Sequence, residues 1–229
     1  MQTPHPRPGS PGLRRFLVAE PRRAPAPDTK QASKTRPAES CELCAGALFS
    51  GHDHVVDVEN RSIECVCRAC HLLFSGTPAL GGRFRAVPTR YLHDQRSPLA
   101  PEEWSRLRIP VSLAFFLRGQ GGELTAFYPG PAGATECLPD PDEWKALAAG
   151  HPLFAQALPE VEAVVVHCTR TTCEYHLVPI DACYELVGRI RTSWTGFDGG
   201  SQTREGIAEF FAGLRLRSTA LADEAAAGG

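Results

Sequence analysis

Five of the nine cysteines fall within the thirty residues CELCAGALFSGHDHVVDVENRSIECVCRAC, from Cys41 to Cys70. They spell C-x-x-C, a gap of twenty residues, then C-x-C-x-x-C. Each C-x-x-C places two thiols at the ends of a tight turn, where both sulfurs can face one ion. Two such turns supply four thiolates, and Zn²⁺ takes four ligands in a tetrahedron with sulfur among its preferred donors. The spacing therefore predicts one metal site, closed by Cys41 and Cys44 on one side and Cys67 and Cys70 on the other. Zinc is the first expectation. Iron, as one ion or a small cluster, is the alternative that the same thiolates allow. Buried apolar thiols are common singly, but five in thirty residues is a poor match to that explanation.

Cys65 leaves the ligand count open. On an extended strand it would point to the same side as Cys67. It can replace Cys67, add a fifth thiolate, or lie beside the set as a bystander. His52, His54 and His71 are further candidates, the first two in the loop between the halves. Cys67-Arg68-Ala69-Cys70-His71 also spells the motif for covalent c-type haem. That motif needs export, and it shares its cysteines with the zinc reading.

The elements that must position these residues are short. His54–Val58 and Ser62–Val66 read as two strands turning at Glu59-Asn60-Arg61, a hairpin that returns the second cysteine group to the first. Leu72-Leu73-Phe74 is expected to cover one side of the site. Phe84–Pro88 reads as a further strand, and the rest of 75–103 as connection.

From Trp104 the texture changes. Ile109–Arg118 and Glu123–Tyr128 form a hairpin around Gly119–Gly122, and Pro129–Thr135 reads as an irregular loop. Asp142–Ala149 is a helix that resumes at Phe154–Leu158 after Pro152. Val161–His167 and Glu174–Pro179 make a second hairpin. Its connection places His167, Cys168, Cys173 and His176 as candidates for a second metal site. Asp181 is expected to cap a helix with the stripe Cys183, Leu186, Val187, Ile190 and Trp194. After Gly196–Gly200, Ser201 is expected to cap a last helix with the stripe Ile207, Phe210, Phe211 and Leu214. Arg215 and Arg217 suit its C-terminal dipole.

The fold class that follows is α+β: an antiparallel sheet of hairpins with helices on one face, preceded by a small zinc-knuckle module. The expected organisation is a disordered Pro/Arg-rich tail over 1–38, the cysteine module and its connection over 39–100, the α+β domain over 104–218, and a frayed tail over 219–229.

Composition narrows the function classes. The 229 residues carry a formal net charge of −2, with 42% hydrophobic and 22% charged residues. Residues 1–40 hold eight Lys or Arg against three Asp or Glu, and eight of the twenty prolines. The remainder is mildly acidic, which argues against a nucleic-acid surface. The arginine pairs at 14–15 and 22–23 lack the apolar run that an export signal needs, and no stretch is apolar enough to span a bilayer. A cytoplasmic protein with reduced thiols is expected, and the odd cysteine count gives no support to a disulfide framework.

The blocks CELC…CVCRACHLLF, IPVSLAFF, AFYPGPAGATE, VEAVVVH and VPIDACYELVGRIRTSWTGFDGG carry a resemblance over about residues 40–217. They are similar to an uncharacterised bacterial family, best represented in actinobacteria and catalogued as a domain of unknown function. Its members are typically encoded beside subunits of uptake-type nickel–iron hydrogenases. The resemblance implies a hydrogenase-linked accessory role and a protein partner, and it supplies no ligand set. No nucleophile elbow, phosphate loop or H-E-x-x-H is present, so no catalytic residue is assigned. His167, His176, Glu174 and Asp181 have acid–base chemistry but no pattern that gives them a role. A closed four-thiolate site favours a scaffold over an enzyme. The competing readings are an iron-thiolate electron carrier and a thiol-redox or metal-delivery protein in which Cys65 makes the site labile.

Overall fold

The computed structural model describes residues 39–76 and 82–221, and these fold around two sheets. The expected tail over 1–38, and 222–229 of the C-terminal tail, lie outside the described residues. The smaller sheet holds β1 (Asp53–Asp57), β2 (Ser62–Val66) and β3 (Phe84–Ala86) in the order β2-β1-β3, all antiparallel. The expected hairpin is present, and Asp57 builds its turn. Asp57 Oδ1 accepts the N–H groups of Glu59 (3.1 Å) and Asn60 (3.2 Å), and Oδ2 accepts Nη2 of Arg83 at 2.6 Å.

That carboxylate is nearly fully buried, and the Arg83 guanidinium, aided by the Asn60 donors against the burial penalty, holds its pKa down from 3.8 to about 2. A depressed folded-state pKa stabilises above the unfolded value and loses that contribution as pH falls through the folded one. The protein is thus expected to lose stability between pH 3.8 and about 2 on account of Asp57. Thermal melts of Asp57→Asn should be lower than wild type at neutral pH and converge toward it in this window. An unchanged gap down to the lower limit would refute the assignment.

The larger sheet contains β4 (Leu92–His93), β5 (Leu113–Arg118), β6 (Leu124–Gly130), β7 (Gly133–Cys137), β8 (Glu162–Cys168), β9 (Cys173–Pro179) and β10 (Thr219–Ala220). Their order is β10-β4-β9-β8-β5-β6-β7, antiparallel except for the β10–β4 pair. Alternation along β5, β8 and β9 sends successive side chains to opposite faces. Both faces are apolar, because helices cover both.

On one face Ala114, Phe116, Val164 and Val166 pack under α2 (Pro101–Arg106), α3 (Pro141–Gly150) and α4 (Pro152–Gln156), with Trp104, Leu147 and Phe154 as the helical contributions. On the other, Phe115, Ala163, Val165 and Val178 pack under α5 (Ile180–Ser193) and α6 (Gly200–Arg217) through Leu186, Ile190, Phe210, Phe211 and Leu214. The α+β class is as expected. Helices on a single face is the detail to correct, since β5 and β8 run apolar on both sides and need two covers.

Other local expectations also change. Pro129–Thr135 is not an irregular loop: β6 runs through Pro129 and β7 returns from Gly133, with Gly130 opposite Gly133. β7 is the sheet edge, where proline and glycine cost little pairing. Residues from Thr219 do not begin as a frayed tail, because the Thr219 N–H donates to the Tyr91 carbonyl at 2.9 Å and opens β10. Asp181 lies in the first turn of α5, with Pro179 at the cap. Ser201 lies inside α6, whose cap is Gly199 at φ 88°. Glycine suits that left-handed position, and a Cβ there would meet the Trp194 ring and Thr203 at 3.4 Å.

Candidate metal centre

The two C-x-x-C turns are built differently and meet at one point. In the first, Ala45 N–H donates to the Cys41 carbonyl (2.8 Å) and Cys41 N–H to the Gly46 carbonyl (2.7 Å), with Ala45 in the left-handed region at φ 59°. Glu42 fastens this turn to the end of β2. Its N–H donates to the Cys65 carbonyl, and its carboxylate accepts the Cys65 N–H. In the second, Cys67 leaves β2 in an extended conformation and caps α1 (Arg68–Phe74), so Cys70 comes round one turn later on the same side.

The sulfurs of Cys41, Cys44, Cys67 and Cys70 all lie within 4.8 Å of one another, and Cys44 and Cys67 are 3.8 Å apart. Four sulfurs at the zinc–thiolate distance of about 2.3 Å form a tetrahedron with edges of about 3.8 Å. The cluster therefore has the dimensions of a metal site. Cys41 and Cys70 are buried, Cys67 is half-buried and Cys44 is exposed.

The protonation pattern has a physical cause. Burial opposes ionisation of Cys41, yet the N–H groups of Cys67, Cys44 and Leu43 point at its sulfur and together bring its pKa down to about 6. Cys70 goes the other way, to about 12, first through burial and then through the three neighbouring sulfurs. Cys44 is raised as well: the Gly46 N–H and Cys70 favour its thiolate, but the Cys41 and Cys67 sulfurs together with burial outweigh them. Four sulfurs this close cannot all ionise by themselves, and a bound cation supplies the missing positive charge.

Cys65 is not the fifth member. It sits inside β2 opposite His54, and it shares a separate group with His52 and His54. Burial, with the charges of Glu42, Glu39 and Glu64, pushes its thiol up. His71 is buried and serves structure: Nε2 donates to the Val87 carbonyl at 3.0 Å, tying α1 to the strand end after β3. With Cys67 and Cys70 turned toward Cys41 and Cys44, the haem-motif reading has no support.

Leu72 and Leu73 do not cover the site. In α1 the helical period turns Cys70, His71 and Phe74 inward, leaving Leu72 and Leu73 54% and 66% exposed. Phe74 instead packs on Phe84.

The second four-residue candidate separates. Cys168 and Cys173 face each other across the end of the β8–β9 hairpin and form a disulfide. His167 lies on the opposite face, its ring 5.2 Å from that of Phe211. His176 is buried between Ser218 Oγ (2.9 Å) and Glu174 Oε1 (2.9 Å). The pairing was legible in one respect: a four-residue loop flanked by cysteines puts them directly opposite when the strands are antiparallel. The expectation of reduced thiols is corrected for this pair, since an odd total count says nothing about any two cysteines that the strands place opposite each other.

The described residues thus define a mixed α+β protein with a four-cysteine cluster able to hold a metal ion. The chain belongs to DUF5947, a family of unknown function, whose model matches residues 40–218. Both C-x-x-C turns and every sheet strand up to β9 fall inside that span. No curated protein and no solved structure matches the chain.

Proposed function

We propose that this chain is a non-enzymatic accessory protein in which Cys41, Cys44, Cys67 and Cys70 hold one structural zinc ion. It docks on a subunit of a nickel–iron hydrogenase or on a factor that assembles one, in the cytoplasm. The observation that carries the metal-stapled scaffold reading is the set of four sulfurs within 4.8 Å of one another, enough to fill all four positions of a tetrahedral ion. The hydrogenase link rests on the sequence resemblance.

Docking on a protein is supported by apolar side chains beside both turns. Leu43 lies within the first C-x-x-C, Leu72 and Leu73 follow the second, and Phe49 is 82% exposed. The acidic balance outside residues 1–40 speaks against nucleic acid. Among the described residues no helix is long and apolar enough to cross a membrane.

The test is purification under anaerobic conditions from cells that express the hydrogenase, with metal analysis and an absorption spectrum. Zinc, an absence of visible colour, and a co-purifying hydrogenase component that is lost in Leu72→Asp/Leu73→Asp are expected. Iron with visible absorption that bleaches on reduction would replace this reading with electron transfer. Capture of no hydrogenase component would remove the partner.

A further inference from the structure

We infer that His52, His54 and Cys65 form a second metal site, separate from the four-cysteine cluster, which takes Zn²⁺ through three protein ligands and keeps a fourth position open. The sheet brings them together. His54 and Cys65 are direct partners in the β1–β2 ladder, and His52, just before β1, brings its ring against that of His54. One ligand atom from each falls within 4.8 Å of the other two, and the imidazole rings are 5.0 Å apart, edge to face. Nitrogen and sulfur ligands of one zinc are separated by about 3.3–3.8 Å. Small side-chain rotations close that difference.

Each histidine has its Nδ1 engaged by an oxygen acceptor. His54 Nδ1 lies 2.9 Å from Asp181 Oδ2, and His52 Nδ1 lies 3.3 Å from the Phe49 carbonyl oxygen. A carbonyl or carboxylate accepts, so each Nδ1 carries the proton and each Nε2 presents a lone pair. Metal-bound histidines have this arrangement, with the outer nitrogen held by a carboxylate or a backbone oxygen. An independent sign is His52 Nε2, which is buried without a hydrogen-bond partner among the described residues. A buried acceptor left unpaired costs free energy that a cation would recover.

Asp181 stands in the first turn of α5, where the helix dipole supports its charge, so the orienting group comes from the larger sheet's own cover.

Three ligands from partly exposed residues make an open site, as in zinc centres that exchange a water. The sole methionine is Met1, so the described residues offer no thioether for a copper electron-transfer centre. The open fourth position is one for an exchangeable water.

Equilibrium dialysis of the full chain against micromolar Zn²⁺, followed by metal analysis, tests this. Two zinc ions per wild-type chain are expected, and one in Cys65→Ala and in His54→Ala, the retained ion reporting that the four-cysteine cluster has formed. Asp181→Asn, which keeps shape but removes the charge behind His54, should weaken the second ion's binding by about 10–100-fold and leave the first unchanged. A single ion that is lost in Cys65→Ala but survives Cys41→Ser/Cys70→Ser supports this site and removes the four-cysteine reading. One ion in the wild type that is unaffected by Cys65→Ala, or two that persist in both single variants, overturns it.

Discussion

Chelation of the bound metal is expected to unfold residues 39–48 and 65–75 while the seven-stranded sheet stays intact. The reason is the size of the core around the cysteines. Leu48, Val55 and Val66 are its buried aliphatic residues, joined by Cys41 and Cys70 and by the partly buried Phe74 and Phe84. Each buried aliphatic side chain is worth about 1.5–3 kcal/mol, which is little against the entropy of ordering two turns and a short helix. A structural zinc contributes roughly 10–16 kcal/mol in small zinc modules, because the site does not exist in the unfolded chain.

The strand β1 should resist, since its Val56 packs into the other core beside Phe115 and Ile180, as does Val87 just after β3. Hydrogen exchange with and without a chelator reads this directly. Amides of the Cys41–Gly46 turn and of α1 should lose protection, and those of β5, β8 and β9 should keep it. Cys70→Ser should weaken metal binding by more than about 100-fold, beyond what loss of an outer hydrogen bond costs. Exchange that does not change on chelation would mean the segment is held by its apolar contacts alone.

Arg90→Ala is expected to destabilise the fold around the larger sheet by about 3–5 kcal/mol. Glu162, at the start of β8, is fully buried, and Arg90 meets both of its oxygens, Nε to Oε1 at 2.7 Å and Nη2 to Oε2 at 2.9 Å. The Leu158 N–H donates to Oε2 at 2.8 Å, and Arg90 Nη2 also reaches the Gln156 carbonyl at 3.1 Å. This pair joins the segment before β4 to the α4–β8 connection. Removing Arg90 leaves a carboxylate buried without its countercharge, and that is where the cost arises.

The pair itself need not beat an apolar substitute of the same volume. Lysine is a partial replacement, because a single ammonium cannot make two parallel bonds to one carboxylate. In thermal melts Arg90→Ala should lower the midpoint by roughly 10 °C, taking about 2–4 °C per kcal/mol for a chain of this size. A loss within about 1 kcal/mol would show that water or a shifted side chain compensates the charge.

The parts that were legible in the sequence carry strong local signals. The hairpins β5–β6 and β8–β9 follow from apolar runs broken by Gly119–Gly122 and by the Thr169–Thr172 loop. The helical stripes of α5 and α6 face the core as their period requires. What could not be read depends on tertiary pairing. β4 and β10 are two residues each, too short for any period. β7 is exposed along its middle, so GATEC carries no alternation to find.

Two positions depend on where elements end, which local rules do not give. Cys65 and Cys67 share a side only while the strand lasts, and β2 ends between them at Val66. Cys65 therefore remains in the ladder with His54, and Cys67 turns into the cap of α1. Asp181 looked like a helix cap because it precedes an apolar stripe. Its carboxylate is instead used across the fold, by His54.

The zinc-edge X-ray absorption spectrum of the Cys65→Ala protein bears most directly on the four-cysteine account, since that variant isolates the cluster. Four sulfurs at about 2.3 Å from one zinc are predicted. A coordination shell containing nitrogen or oxygen, or a protein that retains no zinc, would contradict it.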